Sequence, residues 1–217
     1  MIYKKEVAEI ISLNLLEIKA IKLNNTNPFT WASGLKSPIY CDNRVALSYP
    51  EKRSYIKIQL ANAIRDHFRD VDVIAGVATA GIPQGALVAD ILELPFVYIR
   101  SSTKAHGMTN KIEGKIEKGQ TVVVVEDLIS TGKSSLNAVD ALTDSGAVVV
   151  GMVAIFTYGL KIAEENFTNK DCKLIALADY NAMINMAVRE NYVSNEDELS
   201  LLEWRKDPKK WSDNNSE

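Results

Sequence analysis

Apolar residues recur at helical spacing in two stretches of the first seventy residues. In the first twenty positions and again after Pro50 they lie three or four residues apart, which is the period of one face of an α-helix. The first stripe consists of Val7, Ile10, Ile11, Leu15 and Ile18, and the second of Tyr55, Ile58, Ala61, Ile64 and Phe68. The pattern predicts two amphipathic helices, each of which covers an apolar surface elsewhere in the protein.

Later in the chain, nearly continuous apolar runs alternate with helical stretches. The runs lie at residues 71–78, 94–100, 120–127, 147–156 and 172–178, and the helical stretches at 83–92, 133–144 and 158–167. Runs without polar alternation are typical of strands that are buried on both faces of a parallel sheet. The sequence therefore predicts an α/β fold with a doubly wound, mostly parallel sheet flanked by helices, in which ligands bind beyond the carboxyl ends of the strands.

Three regions differ in character along the chain. Residues 29–44, with the sequence FTWASGLKSPIYCDNR, favour short extended strands and turns, so residues 1–45 are interpreted as an N-terminal helix and a small cap over the site. Residues 46–205 then form the α/β core. Residues 206–217 are polar and show no periodicity, and we expect them to be a frayed tail.

Composition narrows the class of protein. A chain of 217 residues with 47% hydrophobic residues can build a sizeable core. Its formal net charge of -3 and pI of about 5.6 disfavour binding to nucleic acid. Only Cys41 and Cys172 occur, far apart, and no apolar run reaches the length of a membrane span, so we expect a cytoplasmic protein that is neither exported nor anchored.

The segment VVVVEDLISTGKS, residues 122–134, contains the most candidate binding residues in the chain. Glu126 and Asp127 stand at the predicted end of a buried strand, where carboxylates can accept hydrogen bonds from the vicinal hydroxyls of a sugar. Small residues then open a helix, and their backbone N–H groups can hold a phosphate. The alternative is that the two acids are merely exposed at a strand end and that the turn only caps the helix. A nucleoside-triphosphate P-loop is rejected because Asp127 stands where that motif needs glycine.

This segment resembles the phosphoribosyl pyrophosphate signature of the type I phosphoribosyltransferases. The resemblance implies that the acids hold the ribose hydroxyls and that the loop holds the 5'-phosphate. The residues that it assigns to phosphoribosyl pyrophosphate here are Glu126, Asp127, Leu128, Ile129, Ser130, Thr131, Gly132, Lys133 and Ser134. Lys133 departs from the small residue often found at its position.

The strand at 94–100 leads into a polar loop that carries further cations. Arg100, Lys104 and His106 follow one another in the sequence RSSTKAHG, and Gly107 and Gly114 bracket a segment with the features of a mobile lid. Cations on a lid can stabilise the charge that accumulates on departing pyrophosphate. Taken singly, each cation is equally well explained as a solvated loop residue.

The spacing of these cations is similar to the catalytic loop of the orotate phosphoribosyltransferases, which reaches across a dimer in that family. The resemblance implies that Arg100, Lys104 and His106 contact phosphoribosyl pyrophosphate, and that Lys104, His106 and Asp127 are catalytic. Ser101 stands where many members carry a second lysine.

Two other segments extend the resemblance, which covers residues of about 10 to 190. The cap is similar to the family element that covers the base, so Lys36 and Ser130 are the predicted orotate-binding residues, although Lys36 could also be incidental to a turn. The loop at 76–85 corresponds to a pyrophosphate loop, represented here by Thr79, Ala80 and Gly81. Many relatives hold the orotate carboxylate with an arginine after the strand at 147–156; Phe156, Thr157 and Tyr158 occupy that region here, which leaves backbone amides, Lys36 or Arg44 as candidates.

The resemblance implies an enzyme that transfers the phosphoribosyl group from phosphoribosyl pyrophosphate to orotate in pyrimidine biosynthesis. It also implies a homodimer and Mg²⁺ held through substrate oxygens and water, with no direct protein cage. The alternatives are a purine or uracil phosphoribosyltransferase, and a non-catalytic relative that binds nucleic acid. The lid and the cap favour orotate, and the acidic pI disfavours the regulator.

Overall fold

The computed structural model describes residues 1–31, 33–101 and 111–215. Its helices are α1 (Lys5–Glu17), α2 (Pro50–His67), α3 (Gly81–Leu92), α4 (Lys133–Asp144), α5 (Lys161–Asn169), α6 (Tyr180–Arg189), α7 (Asn195–Lys206) and α8 (Pro208–Asn214), and a 3-10 helix spans Asn43–Ser48. Its strands are β1 (Ile21–Leu23), β2 (Phe29–Thr30), β3 (Lys36–Ser37), β4 (Ile39–Cys41), β5 (Val73–Val77), β6 (Phe96–Ile99), β7 (Ile112–Glu113), β8 (Thr121–Ile129), β9 (Val148–Thr157) and β10 (Leu174–Asp179).

Within the described ranges, the central sheet has six strands in the order β10-β9-β8-β5-β6-β7. All neighbouring strands are parallel except β7, which is short and antiparallel to β6. Each of the five predicted strands and each of the three crossover helices is present. The doubly wound α/β prediction is therefore confirmed.

Strand β8 lies in the middle of the sheet and is buried on both of its faces. Val122 and Val124 pack into a hydrophobic cluster with residues of α4 and α5, whereas Val123 and Val125 pack into the cluster that contains residues of α1, α2 and α6. Successive side chains of a strand point to opposite faces, so two separate cores divide the valine run between them. The continuous apolar run in the sequence is the result of this double burial.

The N-terminal segment is part of the same core as the sheet. Helix α1 packs on α6 and β10, and the backbone of Ile2 pairs in parallel with Ala176 at the edge of the sheet. The predicted stripes are wrong at Ile10 and Ile58, whose side chains are 45% and 44% exposed. The buried faces of the helices also include Ala8 and Leu60.

Short strands were predicted in the cap, and two small antiparallel sheets confirm this prediction. Strand β1 pairs with β4, and strand β2 pairs with β3. Both pairs lie within residues 1–45. Strand β3 is further joined to the other end of the chain, because the backbone N–H of Lys36 donates to Ser212 Oγ at 2.9 Å.

The prediction of a frayed tail is wrong. Helix α8 occupies most of residues 206–217, and Trp211 is only 6% exposed and belongs to the larger hydrophobic cluster. Its indole Nε1 donates to Ser200 Oγ at 3.1 Å. A single tryptophan in a polar segment shows no periodicity, but its burial is sufficient to hold a short helix against the core.

None of the helices in the ranges given above is both long and apolar enough to cross a bilayer.

We expect Trp211→Ala to lower the free energy of unfolding by about 3 kcal/mol, because the change removes a buried aromatic side chain and leaves a cavity. Asp213→Ala, at an exposed position of the same helix, is the control and should change stability by less than about 0.5 kcal/mol. Urea denaturation followed by tryptophan fluorescence and circular dichroism measures both variants. Equal stability of the two variants would show that α8 does not contribute to the core.

Candidate active site

A cavity of about 830 Å³ opens beyond the carboxyl ends of β8 and β9. Three parts of the chain enclose it: the cap, the start of α5, and the junction between α7 and α8. Its walls include Thr30, Trp31, Tyr40, Cys41, Leu128, Ser130, Thr131, Tyr158, Leu160, Lys161, Ile162, Glu165, Arg205, Lys206, Asp207, Pro208 and Lys209. A cleft in this position agrees with the expectation that ligands bind where parallel strands end.

The ends of β8 and β9 are held together at the floor of the cavity. The backbone N–H of Tyr158 donates to Ile129 O at 3.0 Å, and Gly159 N–H donates to Thr157 Oγ1 at 3.1 Å. These bonds place Ser130 and Tyr158 side by side, although 28 positions separate them in the sequence. Ser130, one of the two predicted base-binding residues, therefore lines the cavity.

The two adjacent acids of β8 lie in different surroundings. Glu126 is only 6% exposed, and its Oε2 accepts a hydrogen bond from Ser135 Oγ of α4 at 2.9 Å. Asp127 lies toward the cap, since its carbonyl oxygen accepts from Asn43 Nδ2 at 2.7 Å. The strand continues to Ile129, two residues beyond its predicted end, and alternation along the strand sends the two side chains to opposite faces. The alternative that both acids are merely exposed is wrong at Glu126.

Burial governs the ionisation of this pair. It raises the pKa of Glu126 well above the ordinary value, and the negative charge of Asp127 raises it further. Burial also raises the pKa of Asp127, while its hydrogen bonds and the positive charge of Arg44 act in the opposite direction. Burial therefore acts on Glu126 with less opposition than it does on Asp127.

The turn between β8 and α4 presents backbone donors. Among the described residues, none accepts a hydrogen bond from the backbone N–H groups of Thr131, Gly132, Lys133 or Ser134. The turn is fixed by Asn166 Nδ2 of α5, which donates to Thr131 O at 2.9 Å. N–H groups at the start of a helix, together with the helix dipole, form a site for an anion such as phosphate.

Glycine is required at two points around these loops. Gly132 has φ of 77°, and a Cβ there would lie 2.6 Å from the ring of Phe167. Gly81 begins α3, and a Cβ on it would lie 2.5 Å from Val125 O of β8. Helix α3 can therefore approach β8 closely beside the acids.

The predicted pyrophosphate loop lies next to this contact. Thr79 and Ala80 form the turn between β5 and Gly81, and Thr79 is exposed. The peptide bond between Ala78 and Thr79 is cis. Ile82 N–H donates to Thr79 O at 3.3 Å, which closes the turn at the start of α3.

Arg100 reaches the same end of the sheet. Its guanidinium is 3.5 Å from Glu113 Oε1, and Arg100, Ser101, Ala78 and Ser134 line a small cavity of about 90 Å³. The structure thus brings Arg100 beside the phosphate turn and the pyrophosphate loop. Lys111 lines this cavity as well, although the sequence reasoning did not select it. Lys104, His106 and Gly107 lie outside the described residues.

The remaining predicted cations are engaged elsewhere. Lys36 Nζ donates to Thr30 Oγ1 at 3.1 Å, and Lys36 is not among the described residues that line the large cavity. Arg44 forms a bidentate pair with Asp42, with distances of 2.6 and 2.8 Å. Lys133 is exposed on the first turn of α4.

The cavity also contains residues that sequence reasoning missed. Lys161, Arg205, Lys206 and Lys209 line it, but they lie on helices predicted as a crossover or as a tail. Arg205 donates to Gly159 O and, at 2.6 Å, to Asn181 Oδ1. One feature of the sequence pointed to such residues: the arginine that many relatives carry after the strand at 147–156 is absent near Tyr158. A cation at the base end of the cavity therefore has to come from another part of the chain.

Neither cysteine has the features of a nucleophile. Burial raises the pKa of the Cys41 thiol well above its ordinary value and that of Cys172 to about 11. Both are free thiols. In the part of the chain that the structure describes, no group of three or more His, Cys, Asp or Glu could hold a metal ion.

Comparison with known proteins gives concordant matches. A family model described as phosphoribosyl transferase domain matches residues 52–191. The chain is 55% identical to the orotate phosphoribosyltransferase of Bacteroides thetaiotaomicron over 95% of this chain and 98% of that protein. It is 54% identical to the orotate phosphoribosyltransferase of Listeria monocytogenes serovar 1/2a, over 97% of this chain and 99% of that protein.

A solved structure also matches. The orotate phosphoribosyltransferase of Aeropyrum pernix is 27% identical and has a TM-score of 0.73, with 85% of this chain and 99% of that chain covered.

We expect Glu126→Gln to make stability less dependent on pH. The folded-state pKa of Glu126 is raised, so above the ordinary value of 4.5 the unfolded chain releases a proton that the folded protein retains. Stability is therefore greatest below that value and falls as the pH rises toward the folded-state pKa. The glutamine variant lacks this loss. Thermal unfolding at several pH values between 4 and 8 measures the difference; the same pH slope in both proteins would contradict a raised pKa.

Proposed function

The chain belongs to the orotate phosphoribosyltransferases of the phosphoribosyltransferase family, and we propose that the cleft beyond β8 and β9 is its active site. The enzyme transfers the phosphoribosyl group of phosphoribosyl pyrophosphate to orotate, which yields orotidine 5'-monophosphate and pyrophosphate in pyrimidine biosynthesis. The observation that supports the location is the turn of Thr131–Ser134, whose N–H groups have no acceptor among the described residues and which opens beside the cavity.

The substrate can be oriented by the two ends of the cleft. We assign the 5'-phosphate to the turn at residues 130–134, and the pyrophosphate to the end formed by Thr79, Ala80 and Gly81 with Arg100. The small cavity shared by Arg100 and Ser134 supports their placement at one end. The base then occupies the large cavity under the cap, next to Ser130.

Asp127 is assigned to the sugar between these ends. Its carboxylate can accept hydrogen bonds from vicinal hydroxyls, and a charged acceptor makes strong bonds of this kind. Glu126 is held by Ser135 and supports the position of Asp127 from the other face of the strand. Any contact of Glu126 with ribose remains a prediction.

The reaction requires positioning and electrostatics and no covalent enzyme nucleophile. Orotate N1 attacks C1 of the sugar while the bond from C1 to pyrophosphate breaks and the N1 proton passes to water, and positive charge develops over C1 and the ring oxygen. Asp127 can stabilise that charge, and Arg100, Lys104 and His106 can stabilise the charge on the leaving pyrophosphate. These interactions are strongest in the transition state, where the charges on the sugar and on pyrophosphate are most separated, so they lower the activation barrier.

We propose Mg²⁺ as the metal cofactor. Asp127 provides carboxylate oxygens beside the cleft, which suits a hard ion whose remaining ligands are water and substrate oxygens. When bound, Mg²⁺ would neutralise pyrophosphate charge. Asp127 is the residue that would orient it through the ribose hydroxyls.

We also propose a homodimer in which the lid of one subunit completes the site of the other, and a cytoplasmic location. The dimer follows from the similarity of Arg100, Lys104 and His106 to the shared catalytic loop of the family. Free Cys41 and Cys172 support a reducing compartment.

We expect Asp127→Asn to lower kcat on the order of 100-fold, because the variant loses the charge that stabilises the cationic sugar. The loss of orotate absorbance with phosphoribosyl pyrophosphate and Mg²⁺ measures the rate, and Asp140→Asn on the surface of α4 is the control. The same assay in the presence of EDTA tests whether the activity requires Mg²⁺. A wild-type enzyme that consumed hypoxanthine or uracil and left orotate unchanged would contradict the assigned base.

Lys104→Ala should also lower kcat far more than it weakens binding of phosphoribosyl pyrophosphate, because its contact strengthens as pyrophosphate departs.

A mixture of Lys104→Ala and Asp127→Asn subunits, unfolded together and refolded, then tests the shared lid. Half of the dimers are mixed, and one site in each has both intact residues, so activity should recover to about a quarter of the wild-type value. If the mixture forms dimers, as measured by light scattering, but recovers no activity, the lid of each subunit covers the site of its own subunit.

A further inference from the structure

The connection between β9 and α5 forms a wall between two cavities. Tyr158 and Leu160 line the large cavity that is assigned to the base, whereas Thr157 and Gly159 line a second cavity of about 760 Å³. Successive residues of an extended segment point in opposite directions, so a cavity adjoins the connection on each side. Close packing is therefore incomplete around this backbone, and specific contacts must fix its position.

Arg205 of α7 holds the middle of this connection, and its side chain lines both cavities. Its Nε and Nη2 donate to Gly159 O at 3.4 and 3.3 Å, and its Nη1 donates to Asn181 Oδ1 of α6 at 2.6 Å. Gly159 has φ of 60°, and a Cβ on it would lie 3.4 Å from Nη2, so the guanidinium also packs against the glycine. The donors of one planar guanidinium thus join the connection to α6.

The neighbour of Arg205 in the sequence holds a second residue of the connection. Trp204 is fully buried, and its ring centroid lies 5.6 Å from that of Tyr158 in an edge arrangement. Adjacent residues of a helix point in directions about 100° apart, so Trp204 and Arg205 contact the connection from two sides. Helix α7 is itself anchored on α6, because Tyr180 Oη donates to Leu201 O at 3.0 Å. The connection is therefore held from a fixed support.

The partners of Arg205 are neutral oxygens. Among the described residues, no carboxylate forms an ion pair with its guanidinium, which instead reaches the carbonyl of Gly159 and the amide of Asn181. Hydrogen bonds to such acceptors depend on the direction of the donors, so the shape of the guanidinium matters as well as its charge. A lysine ammonium carries the same charge at a single atom and does not reproduce a fork that reaches both acceptors. Position and charge can therefore be separated by substitution.

We propose that Arg205 is a positioning residue for the base, which acts through the Gly159 carbonyl and does not touch the substrate. It holds the backbone of the connection and thereby sets where Tyr158 and Leu160 stand in the wall of the base cavity. This inference rests on the function proposed above, since it concerns the binding of orotate. Arg205 lies outside residues 52–191, which match the family model, so the C-terminal helices supply this contact to the site.

Arg205→Met removes the hydrogen bonds of the guanidinium and keeps a long side chain. We expect the KM for orotate to rise about tenfold, because the wall of the base cavity loses the contacts that fix it. The KM for phosphoribosyl pyrophosphate should change by less than about twofold, because its loops lie elsewhere. Arg205→Lys should behave like Arg205→Met, since it restores the charge without the fork. Arg189→Met, on the surface of α6, is the control and should leave both KM values unchanged.

Asn181 tests whether Arg205 acts through its orientation. Asn181 is not among the described residues that line either cavity. Asn181→Ala removes the acceptor that holds Nη1, so we expect it to raise the KM for orotate by about threefold. In the double variant with Arg205→Met, the KM should equal that of Arg205→Met alone, because no guanidinium is left to orient. Thermal unfolding measures whether each variant is folded.

Three results would overturn the proposal. An Arg205→Lys enzyme with the wild-type KM for orotate would show that Arg205 supplies charge and not position. An Arg205→Met enzyme with an unchanged KM for orotate and a lower unfolding temperature would show that the contact is only structural. A raised KM in Arg205→Met with the wild-type KM in Asn181→Ala would indicate that Arg205 contacts orotate itself. Failure of the proposed function is a separate observation, since the wild-type enzyme would then not turn over orotate.

Discussion

Burial of β8 on both faces is the constraint from which the arrangement of the site follows. The strand must place alternate side chains in two cores, so Val122 and Val124 face α4 and α5, and Val123 and Val125 face the other layer. The same alternation continues through the acids. Glu126 enters the layer of α4, where burial raises its pKa, and Asp127 lies on the opposite face of the strand. One strand thereby supplies both part of the scaffold and the acid that we propose binds the sugar.

An aromatic cluster connects the parts of the chain that enclose the cavity. Trp31 of the cap, Tyr158 after β9, and Trp204 of α7 have ring centroids 5.2 to 5.6 Å apart. Tyr180 extends the cluster beneath Trp204, at 5.3 Å. Packing of this kind joins the cap and the C-terminal helices into one unit, so the base cavity has walls from both ends of the chain.

The two ends of the proposed site offer different groups to an anionic ligand. At the phosphate end, the donors are mainly backbone N–H groups of short turns, and close packing at Gly81 and Gly132 holds these turns in place. At the base end, an exposed lysine and the start of α5 lie over a floor of apolar and aromatic residues.

The sequence by itself determined the strands, the crossover helices and the order of the loops that we propose bind phosphate, because double burial leaves continuous apolar runs and tight turns require small residues nearby in the chain. It did not reveal the burial of Trp211, the separation of Glu126 from Asp127, or the position of Lys161 and Arg205 at the cavity. Those features depend on contacts between distant segments, such as the bond from Lys36 N–H to Ser212 Oγ across 176 positions. Local patterns carry no record of such contacts, and only the packing of the whole chain decided them.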